Sequence, residues 1–173
     1  MSLDKLPVCH RRWILAAAAV AVSVLVFTYA PPDSFRRIGR TSSDLVPEKF
    51  ADIVTPYGLD KGRHVVCFYS TSCPHCRHCV SKLAGIINRH SLPLTGIHCI
   101  FMQTMEDGKA SVEDFFTMYG SGVQLSWHVL DPYEFISMTN GSIPLVILVE
   151  DGMVVREYDY ISLDEEAVAD WLR

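Results

Sequence analysis

Several things are missing from this 173-residue sequence, and each absence removes a class of function. No run of Lys and Arg is interleaved with aromatic residues, so the cationic stacking surface of a nucleic-acid binder is not there. No histidine directly follows a C-x2-C pair, because Arg77 follows Cys76 and Val80 follows Cys79; covalent haem attachment is excluded. No second, distant C-x2-C is present to complete the usual ligand set of a closed tetrahedral zinc site. No internal repeat or low-complexity segment occurs outside one apolar run, and the length suits a single ordinary globular domain.

Charge is missing from that run altogether. The 18 residues Trp13 to Ala30, WILAAAAVAVSVLVFTYA, carry none and follow the basic HRR. As a helix they would span about 27 Å, close to a hydrocarbon core of roughly 30 Å. Thr28 and Ala30 are small enough for a signal peptidase, but the next residue is Pro31. Its missing N–H and fixed φ make a poor cleavage site, and the run is longer than a usual signal core. The expectation is a retained transmembrane anchor, or an uncleaved signal, at residues 13–30. Cys9 precedes the run, which rules out a lipid-modified cysteine after a lipoprotein signal. Lys5, Arg11 and Arg12 on one side face Arg36, Arg37 and Arg40 on the other, so charge does not orient the span. A short tail, residues 1–12, ahead of a signal-like run stays in the cytoplasm, placing the domain in an extracytoplasmic space, the periplasm of a bacterium, where disulfide chemistry operates.

Residues 31–46 mix proline, serine, glycine and arginine without periodicity and read as a linker; residues 47–173 read as the domain. The chain holds 15 basic and 20 acidic residues; without the first 30 residues there are 12 against 19, a net charge of −7. Along the domain, PEKFADIV predicts a short helix and HVVCFY (64–69) a buried strand. From Pro74 to about His90, apolar residues recur at helical spacing: Cys76, Val80, Leu83, Ile87. GIHCIFM (96–102) and SWHVL (126–130) are further strands. Ser111 with Asp114 predicts a capped helix through Phe115, Phe116 and Tyr119 to Gly120. Asp131-Pro132 opens another, ending around Asn140-Gly141. LVILVEDGMVVREY gives two strands about Asp151-Gly152, a turn that needs positive φ. Ser162 with Glu165 predicts a capping box for a last helix with Val168, Trp171 and Leu172 on its apolar face. The fold class that follows is α/β, a mixed central sheet with helices on both faces.

The chemistry gathers in FYSTSCPHCRHCV, residues 68–80. Cys73 and Cys76 lie where a buried strand gives way to a helix, with Pro74 at its first position. Unpaired N–H groups and the positive end of the dipole stabilise a thiolate there, and a protonated His75 would add to that. Such a pair can cycle between dithiol and disulfide, Cys73 attacking and Cys76 resolving. Cys67 and Cys99, each mid-strand, read as small buried hydrophobes, and Cys79 as either a core thiol or an accessory one. His64, His78, His98 and His128 read as surface or core histidines.

These features resemble the thioredoxin-like thiol–disulfide oxidoreductases. The resemblance rests on VVCFYSTSCPHC, on Ile143-Pro144 directly before LVILVE, and on the EDG hairpin, and covers roughly residues 47–173. With the tether and HVLDPYEFISMTNGSIPLVILVEDGMVV, it is most similar to the membrane-anchored TlpA-like proteins of bacteria. It implies a thioredoxin-like fold and a cis bond before Pro144, which with Ile143, Pro74 and His75 would line and tune the substrate groove. It implies no organic cofactor beyond the Cys73–Cys76 disulfide. The implied partners are protein thiols and disulfides, and a membrane thiol donor or oxidant. Three positions depart from the family: Cys67 stands where many members have a buried acid, Ser72 where a tryptophan usually precedes the first cysteine, and Cys79 is an added thiol. Pro-His between the cysteines resembles strongly oxidising periplasmic members, whereas the tethered group is usually reducing. The rival reading is a tethered copper- or zinc-binding protein using Cys73, Cys76, Cys79 and His75 or His78.

Overall fold

In the computed structural model, residues 44–103 and 109–173 are described, along with Ala19, Val20 and Val22; the side chains of 109–111 are not. The anchor expected at 13–30 and the linker thus lie almost wholly outside the described residues. Among those described, no helix is long and apolar enough to cross a membrane. Ala19, Val20 and Val22 are helical and belong to a separate unit from the domain that starts at residue 43.

The domain runs α1 (Pro47–Val54), β1 (Arg63–Tyr69), α2 (Pro74–His90), β2 (Ile97–Met102), α3 (Lys109–Tyr119), β3 (Ser126–Leu130), α4 (Pro132–Thr139), β4 (Leu145–Glu150), β5 (Met153–Tyr158), α5 (Glu165–Leu172). The five strands form one sheet in the order β3-β2-β1-β4-β5. β1 is parallel to β2 and β2 to β3, whereas β4 is antiparallel to both β1 and β5. The mixed sheet and its flanking helices follow the expected element order.

Pleating sends alternate residues of β1 to opposite faces. Val65, Cys67 and Tyr69 join the core beneath α2, α3 and α5, while Val66 and Phe68 join the core beneath α1 and α4. Both faces are covered, which explains why the strand is apolar without alternation. On the first face Phe101 sits edge-on to Phe115 and Phe116, with ring centroids 5.5 and 5.7 Å away. That aromatic cluster seats α3 on the sheet.

Local signals account for most element ends. Asp131 caps α4 by accepting from the N–H groups of Tyr133 and Glu134 at 2.8 and 3.2 Å, and α4 stops at Asn140 with φ 49°. Asp151 and Gly152 both have positive φ, 49° and 79°, as the hairpin requires. The α3 start lies two residues ahead of the expected Ser111 cap. The capping box expected at Ser162 and Glu165 does not form. Asp164 is the cap of α5, accepting from Ala167 N–H at 3.1 Å. Ser162 instead donates to the buried Asp159 carboxylate at 2.7 Å. Glu165 turns outward to Arg89, at 2.7 Å from both Nε and Nη2, and to His90 at 3.0 Å. A buried carboxylate and a bidentate guanidinium outcompete a helix end for these two side chains.

On the α1/α4 face, β1, β2 and β3 carry His64, His98 and His128. Both ring nitrogens of His98 are buried without a partner, and burial, then the neighbouring His64 and His128, lowers its pKa from 6.5. A lowered folded pKa means the unfolded chain takes up the proton first. Stability from this group is complete above the unfolded pKa, about 6.5, and falls as pH drops below it. Urea unfolding across that range should give a shallower pH slope for His98→Phe than for the parent; equal slopes would contradict the assignment.

Candidate functional site

Strand register brings the site together. Phe68 of β1 pairs with Leu145 of β4, so Pro144, one residue earlier, lies beside the end of β1. Val146 pairs with Tyr158 of β5, so the residues after β5 emerge at the same edge. The C-terminal end of β1, the start of β4 and the end of β5 therefore converge where α2 begins.

Between β1 and α2 the chain makes a tight turn. Cys73 N–H donates to Ser70 C=O at 3.2 Å, and the hydroxyls of Ser70 and Ser72 are 3.0 Å apart. Cys73 is the N-cap residue of α2, with extended φ −81° and ψ 118°, and Pro74 is the first helical residue. Proline loses nothing there, since that N–H has no helical partner. Cys73 is half-buried and Cys76, one turn in, is buried. The Ile143–Pro144 bond is cis.

The two thiols differ sharply in acidity. The Cys76 thiol beside the Cys73 sulfur, followed by the N–H groups of Cys76 and His75 and by the His75 charge, lowers Cys73 from 9.0 to about 6 against the opposing effect of burial. Cys76 is pushed well up, first because it holds its proton toward Cys73 and then because it is buried. Ser70 N–H donates to the Cys76 sulfur at 3.5 Å. One proton thus sits between two sulfurs and belongs to the inner one, leaving the outer sulfur as the nucleophile.

Cys79 is fully buried among Val80, Leu83 and the sheet. Burial, then Cys67, pushes it up to about 12, and Tyr69 hydroxyl donates to it at 3.6 Å. Cys67 and Cys99 pair in register on β1 and β2, both fully buried; burial raises Cys99 well above its usual value. All five described cysteines are free thiols.

Cys73, Pro74, His75 and Cys76 are contiguous at the helix start, and the register puts Ile143 and Pro144 next to them. Cys79 faces the core instead. His75 is not turned to a metal position but stacks on Tyr160, with centroids 4.7 Å apart and planes 17° apart. Among the described residues, no group of three or more His, Cys, Asp or Glu side chains is placed to hold a metal ion, so the donor set of the metal-binding rival is not assembled.

Sequence reading missed Tyr160 and the buried Asp159. The signal was in the hairpin: counting back from Asp151-Gly152 puts the end of β5 beside Ile143-Pro144. The bulge between Leu148 and Val149 obscures that count by one residue.

No family model matches the chain, and no curated protein matches it. Solved structures do. A putative protein disulfide isomerase from Bacteroides thetaiotaomicron is 15% identical, with TM-score 0.50 over 68% of this chain and 77% of its own. A thioredoxin-like protein solved in its oxidised form is 12% identical, with TM-score 0.50 over 65% of this chain and 78% of its own. The fold is thioredoxin-like.

Residue-resolved alkylation by iodoacetamide should show Cys73 reacting with a midpoint near pH 6, while Cys67, Cys79 and Cys99 react only after unfolding. A Cys73 midpoint near 9, or fast labelling of Cys79 in the native protein, would contradict the site as described.

Proposed function

We propose that this thioredoxin-fold chain is a thiol–disulfide oxidoreductase that exchanges its Cys73–Cys76 dithiol or disulfide with protein substrates. The observation that carries the reading is the placement of the pair at the strand-to-helix junction, Cys73 half-buried as the N-cap residue before Pro74 and Cys76 buried one turn in with Ser70 N–H on its sulfur; the resulting split in acidity, Cys73 lowered to about 6 and Cys76 raised, agrees with it. Pro144 at the same edge supports it, as does the putative disulfide isomerase among its structural neighbours.

In the reducing direction, the Cys73 thiolate attacks one sulfur of a substrate disulfide and forms a mixed disulfide. The substrate's other sulfur leaves as a thiolate and takes up a proton. Cys76 then gives up its proton and attacks the Cys73 sulfur. A Cys73–Cys76 disulfide forms and the substrate's second sulfur leaves as a thiolate, the Cys76 proton having gone to the first. Two electrons pass from the protein to the substrate, and the oxidising direction is the reverse. Cys67 in place of a buried acid leaves the departing substrate thiolate as the base that takes the Cys76 proton. No organic cofactor enters the cycle.

The domain works at the outer face of a membrane, held by the apolar run 13–30, with residues 1–12 in the cytoplasm; the uncharged span and the short tail before it support this placement. A membrane thiol donor would re-reduce the pair, or a membrane oxidant would re-oxidise it.

Two experiments test the proposal. Cys76→Ser should accumulate mixed disulfides between Cys73 and substrate proteins, visible as dithiothreitol-sensitive bands, and Cys73→Ser should not; equal trapping by both, or by neither, would sink the exchange mechanism. Protease added to spheroplasts should digest residues 44–173, whereas protection until lysis would place the domain inside.

A further inference from the structure

Resting on that reading, we propose that Tyr160 is a positioning residue for the redox pair: its ring, stacked on His75, fixes the imidazole at the first turn of α2 where its charge acts on the Cys73 sulfur. The position of Tyr160 is itself over-determined. It lies in the turn between β5 and α5, and that turn is tied down from three sides. Asp159, buried, accepts from the N–H groups of Ile161 and Ser162 and from the Ser162 hydroxyl, and its own N–H donates to the Ser162 hydroxyl oxygen at 3.0 Å. Lys82, two turns along the helix that starts at the redox pair, donates to Leu163 C=O at 2.6 Å. Tyr160 packs partly buried against the same core as Cys73 and Ile143. Its ring therefore has little freedom, and a ring stacked on it at 4.7 Å shares that restraint.

A histidine side chain at an exposed helix start has two free torsions and would otherwise spread its charge over a wide arc. Holding it matters because the interaction between His75 and the Cys73 thiolate falls with distance and is screened by water. The stack also sets the imidazole on the electron-rich face of a phenol, a surface that attracts a cation.

The test is a double-mutant cycle on the full-length protein, reading the pH midpoint of Cys73 alkylation by mass spectrometry. Tyr160→Leu, which keeps bulk but removes the aromatic face, should raise the midpoint by about half a pH unit, a roughly threefold loss of thiolate below the midpoint. Tyr160→Phe should retain the parent midpoint, and in a His75→Ala background Tyr160→Leu should change nothing. An unchanged midpoint in Tyr160→Leu, or an equal shift with and without His75, overturns the assignment. Tyr160→Ala is the second variant should Tyr160→Leu label its core cysteines and so declare itself unfolded. The cycle is independent of turnover: should the parent form no reversible Cys73–Cys76 disulfide, the exchange reading falls, while the midpoints still decide the role of Tyr160.

Discussion

A single proton between two sulfurs is the constraint on which this structure turns. Cys76 holds it because Cys76 is buried and Cys73 is at the open end of a helix, where N–H groups and a histidine favour the thiolate. Neither sulfur could play its part without the backbone around it. Extended φ and ψ make Cys73 the N-cap residue of α2, and Pro74 begins the helix without wasting a donor. The Ser70 N–H on the Cys76 sulfur fixes the inner partner in turn. Chemistry at this site is a property of the strand-to-helix junction more than of any one residue.

The sheet exists, from the site's point of view, to hold three strand ends at one edge. β1 leads into the cysteines, Pro144 directly precedes β4, and β5 ends in the turn that carries Tyr160. The parallel and antiparallel pairing of β1 makes these ends coincide, and covering both faces keeps residues Val65 to Tyr69 buried. α2 then ties the edge to the far side of the domain through Arg89 and His90, which hold Glu165 at the start of α5. Hydrogen bonds from the Arg89 guanidinium to both carboxylate oxygens, then the one from His90, lower Glu165 to about 2, so its carboxylate stays ionised through the pH range in which Cys73 titrates.

Much of this was legible in the sequence. The β-branched run before Ser70, the C-x2-C after it with proline at the first helical position, and the Asp-Gly turn each encode one local geometry, and each formed as expected. The fold class followed from their order. What sequence could not resolve were competitions settled by burial. Ser162 could cap a helix or satisfy a carboxylate, and the buried Asp159 decided it. Cys79 could have been an accessory thiol or a core residue, and the apolar stripe of α2 placed it in the core. Tyr160 was hidden because its role depends on a hairpin register that a bulge shifts by one residue. His75 was legible as a residue of the helix start, but not the Tyr160 ring stacked on it.

The most direct measurement is a redox titration of the full-length protein in glutathione or dithiothreitol buffers, with each cysteine's pairing read by differential alkylation and mass spectrometry. The account predicts one reversible disulfide, Cys73–Cys76, with Cys67, Cys79 and Cys99 remaining thiols throughout. Stabilising the Cys73 thiolate favours the dithiol, so the potential should lie above the thioredoxin value of about −270 mV and below the roughly −120 mV of the strongest oxidants. A disulfide that engages Cys79, or no reversible pair at any potential in that span, would contradict it.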